Sequence, residues 1–194
     1  MREAFGVISF LLVFGITFPY AWDILKGRAQ PARSTRILFF ILMTTTLIVQ
    51  SRDFTSWVLA LTVGEVLSQL ILLALSVKYG LGGLKRVDIA SYIMFSFALT
   101  AYLITGETLV GLFLLCLTDV VAFIPTLVKN FRDPSTDTPL FYAIGAVAPT
   151  FSLFAASDYS DLNQVLVPAY LIIINILALV PLIFPPANRH KNTT

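Results

Sequence analysis

Seven long apolar segments, separated by short polar stretches, constrain this chain more than any other feature of its sequence. Of its 194 residues, 57% are hydrophobic and only 12% are charged. A water-soluble domain carries about 25% charged residues, so this composition predicts that lipid covers most of the surface. Backbone groups in lipid must be hydrogen-bonded within their own segment, and α-helices meet that demand. We therefore expect an all-α integral membrane protein.

The apolar segments predict seven transmembrane helices. They cover residues 4–25, 37–50, 56–79, 87–105, 108–131, 140–156 and 164–184. A membrane span needs about 20 residues, and the second segment is shorter than that. We expect helix two to extend into residues 31–36 or to lie where the bilayer thins.

The basic residues predict the orientation of these helices. All but two of the 13 Lys and Arg residues fall on one side of the predicted membrane, and only Arg2 and Arg52 fall on the other. Basic residues are enriched in cytoplasmic loops. The sequence therefore predicts an extracytoplasmic N-terminus and a cytoplasmic C-terminus.

Helices one and five share a pattern that indicates an internal repeat. Each carries a proline near its end and a basic residue seven positions later, and a Ser-Thr pair follows. The matching elements are Pro19 and Pro125, Lys26 and Arg132, and Ser34-Thr35 and Ser135-Thr136. Helices one to three then correspond to helices five to seven. Because a single helix separates them, both halves have the same orientation, which makes the repeat parallel.

This pattern predicts a 3+1+3 arrangement: two parallel three-helix repeats joined by helix four. The first repeat covers residues 1–80 and the second covers residues 107–187. Residues 81–106 form the linker helix, and residues 188–194 form a polar cytoplasmic tail.

The stretch from Pro125 to Asp137 resembles the SWEET and PQ-loop class of small seven-helix membrane transporters. It has a Pro-Thr dipeptide, then a basic residue, then a Ser-Thr-acidic triplet before the next helix. A weaker copy runs from Pro19 to Thr35. The residues after the prolines are Tyr20 and Thr126, where this class often has glutamine. The resemblance implies a transporter with a midplane site between two three-helix bundles that alternate in access.

Two carboxylates lie in the middle of apolar helices. Glu65 is in helix three and Asp119 is in helix five. A charged acid at the bilayer centre costs at least about 2.5 kcal/mol, and intramembrane acids usually face the protein interior. Gln69 follows Glu65 by one helical turn, on the same polar stripe. A structural hydrogen bond between Glu65 and a neighbour is the alternative to a functional role.

Three further residues gain an expected role from the repeat or from the resemblance. Asn175 lies in the middle of helix seven, where the resemblance implies a substrate-lining asparagine. The resemblance implies a second asparagine at the same depth on helix three, and Glu65 is the residue nearest to that position. The resemblance also implies that Asp119 is a proton-coupling acid. Pro19 and Pro125 are predicted hinges, and a static kink is the alternative.

We therefore expect a transporter of a small polar solute, with proton coupling as a secondary prediction. The alternatives are a seven-helix receptor or sorting protein, and a partner subunit that transports nothing. The sequence contains a single His and a single Cys and no set of catalytic or metal-binding residues. We expect no enzyme activity, no cofactor, no metal and no nucleic acid, and a homo-oligomer is left open.

Overall fold

The computed structural model describes residues 1–27, 29, 31–53, 56–134 and 138–184. Seven α-helices lie within these ranges: α1 (Arg2–Leu25), α2 (Arg33–Asp53), α3 (Leu59–Tyr79), α4 (Arg86–Thr105), α5 (Thr108–Arg132), α6 (Pro139–Phe154) and α7 (Leu162–Ile183). All except α6 are long and apolar enough to cross a membrane. The chain is thus an all-helical, multi-pass membrane protein.

Helix α2 has the length of a standard span, whereas helix α6 is shorter. Helix α2 has 21 residues because it begins at Arg33, so the expected extension into residues 31–36 is present in the structure. Helix α6 has only 16 residues and begins directly at Pro139. At 1.5 Å per residue α6 is about 24 Å long, which is shorter than the hydrocarbon core of about 30 Å.

Each end of the chain forms a group of three packed helices. Both α1 and α2 pack along α3, and both α5 and α6 pack along α7. The two groups meet where α1 contacts α6 and where α2 contacts α5, and α4 packs on α5 with a smaller contact to α2. Consecutive helices α1 and α2 are therefore bridged by α3, and α5 and α6 are bridged by α7.

Helices α1 and α3 run side by side in a constant register. Residues 51 positions apart face each other at three levels: the backbone of Gly6 abuts Trp57 just before α3, that of Gly64 abuts Val13, and Thr17 donates a hydrogen bond to Ser68 at 2.7 Å. Small residues permit this close approach. Packing and interhelical hydrogen bonds, rather than hydrophobic burial, hold helices together in lipid.

Large apolar side chains cover the outside of the helix bundle, most visibly on α4. Ile93, Phe97, Leu103 and Ile104 are each at least 66% exposed. Such a surface is stable only when an apolar solvent surrounds it, which agrees with a membrane location.

Polar contacts fasten the ends of α2, α3 and α4 to one another. The buried Asp88 carboxylate accepts hydrogen bonds from Ser34 and Thr35 and from the Lys85 backbone. Arg33 donates to the Val77 carbonyl at 2.9 Å. The carboxylate is thereby paired with three donors, as a buried charge requires.

Some of the sequence predictions concern residues outside the described ranges. These are Ser135, Thr136 and Asp137 of the second repeat motif, Arg28 of the first loop, and the tail 188–194.

Candidate functional site

Asp119 lies in the middle of α5 and is 5% exposed. Its Oδ2 accepts a short hydrogen bond from the Tyr170 hydroxyl of α7. Its Oδ1 is also buried, and no described residue donates to it. An unpaired buried oxygen is costly, so Asp119 has a free acceptor in the interior of the second helix group.

Glu65 of α3 lies within electrostatic range of Asp119. The Glu65 side chain interacts with Gln69, one turn along the same helix, and it also lies within range of Arg36 on α2. Although protein surrounds Glu65, part of its surface remains accessible. The structure therefore places the two predicted carboxylates within electrostatic range of each other, one on the first helix group and one on the second.

Gln69 connects this acidic pair to a cation. Arg36 donates a hydrogen bond to Gln69 Oε1 at 3.2 Å and a second one to the Tyr20 hydroxyl of α1 at 3.3 Å. The guanidinium also lies 5.3 Å from the centre of the Tyr20 ring. The Tyr20 ring in turn packs on Phe141 of α6, with 5.8 Å between the ring centres. Polar and aromatic contacts thus join the two helix groups near the basic end of the bundle.

Asn175 lies on the α6 side of α7. It donates a hydrogen bond to the Leu171 carbonyl of its own helix at 2.8 Å. Its amide packs on Gly145, where an added Cβ would lie 2.8 Å from Asn175 Cγ. Asn175 is partly accessible, but its described contacts are with α6 and α7, whereas Glu65, Gln69 and Asp119 form one group.

Pro19 and Pro125 both lie inside continuous helices, in the last third of α1 and α5. Both side chains are exposed. A proline inside a helix removes one backbone hydrogen bond. The two helices therefore have equivalent weak points on their outer faces.

Three residues of this site were not predicted as functional from the sequence. Tyr170 carries no local signal, because only the packing of α7 on α5 brings it to Asp119. In the sequence, Arg36 is one of the basic residues that predict the orientation, and Tyr20 is the residue that follows Pro19. The sequence did contain a signal for Arg36. The second apolar segment is short for a span, and its extension to Arg33 makes Arg36 part of α2, where it donates to Gln69 of α3.

The site combines two carboxylates, one guanidinium, two tyrosine hydroxyls and the carboxamide of Gln69. Such a set suits the binding of a small polar solute by hydrogen bonds and charge. Among the residues that the structure describes, no three His, Cys, Asp or Glu side chains converge to hold a metal ion. No known protein family, curated protein or solved structure matches the chain.

Proposed function

We propose that this protein is a membrane transporter that moves a small polar solute by alternating access, in the manner of the SWEET and PQ-loop class. One observation carries the proposal: Glu65 of the first helix group and Asp119 of the second are both surrounded by protein and lie within electrostatic range of each other. An ionisable group in a membrane interior marks a substrate or proton pathway by default. The acceptor left open on Asp119 Oδ1 is available to a solute, to water or to a proton.

The helix register supports an arrangement of two parallel three-helix repeats joined by α4. The Asp119–Tyr170 pair of α5 and α7 is separated by 51 residues, as are the facing pairs of α1 and α3. This pair corresponds to the facing pair Val13 and Gly64 of the first repeat. Asp119 lies 106 positions after Val13, and Tyr170 lies 106 positions after Gly64. The same offset separates Pro19 from Pro125.

This offset also relates Gln69 to Asn175, which differ by 106 positions. Two carboxamides then occupy equivalent depths on α3 and α7, and Glu65 lies one helical turn from the first. A midplane site between two such repeats is typical of transporters built this way.

The proposed cycle uses the two prolines as hinges. Bending at Pro19 and Pro125 rocks one repeat against the other and opens the site to each side in turn. The basic ends of the helices lie at the cytoplasmic face, which gives an N-out, C-in topology with α6 as the seventh span. Protonation of Glu65 or Asp119 couples the cycle to the proton gradient.

The test is a flux measurement on purified protein in liposomes. A panel of sugars, amino acids and organic cations is first screened for thermal stabilisation, since ligand binding raises the stability of the folded state. Uptake of the stabilising solute is then compared for the wild type, Glu65→Gln and Asp119→Asn. Glu107→Gln and Asp158→Asn serve as matched controls in exposed loops.

We expect both interior variants to lose at least tenfold in uptake rate and to lose its pH dependence, and both controls to retain wild-type rates. Unchanged uptake in the interior variants would reject the proposed site. Stabilisation by a solute without any uptake would favour the receptor alternative instead.

A further inference from the structure

A cavity lies at the lipid-facing side of the bundle, and none of the residues of the acidic site lines it. It is an open groove of about 740 Å³ between α2, α4 and the loop that joins α3 to α4. This volume falls within the range of about 300–1,000 Å³ that is usual for ligand sites. We call it the α2–α4 groove.

The long wall of the α2–α4 groove is apolar. Ile89, Ile93 and Ser96 line it along α4, and Ile37 lines it from α2. From Ile89 to Ser96 this wall extends for about 10 Å along the helix axis at 1.5 Å per residue. Because the wall is part of two apolar helices of membrane-spanning length, its natural contact is a hydrocarbon chain.

The opposite end of the groove is polar and basic. Arg33 and Ser34 line this end together with the backbone of Gly82 and Gly83. A Cβ at either glycine would meet no heavy atom within 4 Å, and Gly83 has a φ of 105°. The loop therefore leaves open space at the groove end that Arg33 lines, and the Arg33 guanidinium itself donates hydrogen bonds to the Ser76 and Val77 carbonyls at 3.4 and 2.9 Å.

Two further cations follow the loop directly. Leu84 lines the groove, and the next residues, Lys85 and Arg86, are both exposed. Asp88, which follows these cations in the chain, already accepts hydrogen bonds from two hydroxyls and from the Lys85 backbone. One cation, Arg33, thus lines the groove end, and two more directly follow the lining residue Leu84 in the chain.

We propose that the α2–α4 groove binds one anionic glycerophospholipid. The phosphate lies against Arg33, Lys85 and Arg86, and one acyl chain follows the apolar wall of α4 toward Ser96. Basic pockets between transmembrane helices at the cytoplasmic side are suited to anionic headgroups. This lipid site is independent of the transport site, and it would stand if the protein moved no solute.

Native mass spectrometry of the purified full-length protein tests the proposal. The protein is mixed with phosphatidylglycerol and phosphatidylcholine that carry the same acyl chains, and retained lipids are counted. We expect one tightly held phosphatidylglycerol per chain. Each basic residue contributes about 1 kcal/mol near an anionic lipid, so the double variant Lys85→Gln/Arg86→Gln should lose about 25-fold in preference for phosphatidylglycerol at 1.4 kcal/mol per tenfold.

Two controls separate the headgroup from the acyl chain. Lys26→Gln/Lys129→Gln removes the same amount of charge elsewhere, from the end of α1 and from α5. It should leave the preference for phosphatidylglycerol unchanged. Ser96→Phe adds bulk to the exposed apolar wall and should weaken both lipids equally.

Three results would overturn the proposal. The first is an unchanged lipid preference in Lys85→Gln/Arg86→Gln. The second is an equal loss in the control pair, which would indicate a diffuse charge effect. The third is a lipid-free dimer that Ser96→Phe dissociates, because a second copy of the chain would then cover the groove.

Discussion

Replacement of Gly64 by alanine should destabilise the protein through one defined contact. Gly64 lies where α3 crosses α1. A Cβ at this position would lie 2.5 Å from Val13 Cγ1 and 3.3 Å from the Phe10 backbone oxygen. Carbon atoms in contact prefer about 3.5–4.0 Å, so either the helices must separate by about 1 Å or Val13 must leave its rotamer.

The expected cost follows from that geometry. Overpacking by one methyl group in a close-packed interior costs about 1–3 kcal/mol. Val13→Ala removes the clashing Cγ1 atom, so the double variant Gly64→Ala/Val13→Ala should be more stable than the sum of the single effects by about 1–2 kcal/mol.

Unfolding in mixed micelles titrated with sodium dodecyl sulfate, followed by circular dichroism, measures these free energies. Gly15→Ala is the matched control, because a Cβ there meets no heavy atom within 4 Å. It should retain or gain stability, since alanine favours a helix by about 1 kcal/mol over glycine. If Gly64→Ala is as stable as Gly15→Ala, or if Val13→Ala gives no rescue, the register of α1 on α3 is wrong, and the repeat offset with it.

Three further predictions concern hydrogen bonds in separate parts of the chain. A double-mutant cycle of Tyr170→Phe and Asp119→Asn, read by the same unfolding assay, should give a coupling of about 0.6–1.7 kcal/mol; a coupling of zero would contradict the bond between α7 and α5. Asp88→Ala leaves several buried donors unpaired and should cost about 1–3 kcal/mol, whereas a loss below 0.5 kcal/mol, on the order of a surface substitution, would show that the network is solvated. Hydrogen bonds from the Ser160 hydroxyl and backbone lower the pKa of Asp158, so Ser160→Ala should raise that pKa toward its ordinary value in an NMR titration. Because the folded-state pKa is lowered, its small stabilising effect is present above the unfolded pKa and disappears as the pH falls through the folded pKa; an unchanged titration curve would show that the hydroxyl bond is absent in solution.

The helices themselves could be predicted from hydropathy, and their ends could not always be. Helix α7 begins at Leu162 rather than at 164, because Asp161 caps it by accepting a hydrogen bond from the Asn163 backbone at 3.0 Å. Gln164 also donates to the Asp161 carboxylate. A cap of this kind is a local sequence signal. Because the capping residues are polar, a helix boundary drawn from hydropathy alone leaves them outside the helix.

The packing of the helices could not be predicted from the same pattern. Each span is apolar on most of its surface, so periodicity does not distinguish the face toward α3 from the face toward lipid. The polar exceptions were the useful guide: Glu65, Gln69 and Asp119 were predicted to face inward, and the structure brings them together. Their partners Tyr170 and Arg36 depend on contacts between distant helices, which no single segment encodes.

The account depends on Glu65 facing an interior space that water reaches. Cysteine accessibility measures this directly in a background where the native Cys116 is replaced by serine. A hydrophilic, membrane-impermeant thiol reagent should modify Glu65→Cys, because only a hydrated thiol ionises and reacts. It should not modify Leu67→Cys, whose exposed position on α3 faces lipid. An inert Glu65→Cys beside a reactive Leu67→Cys would mean that the carboxylate lies on the wrong face of α3 for a transport pathway.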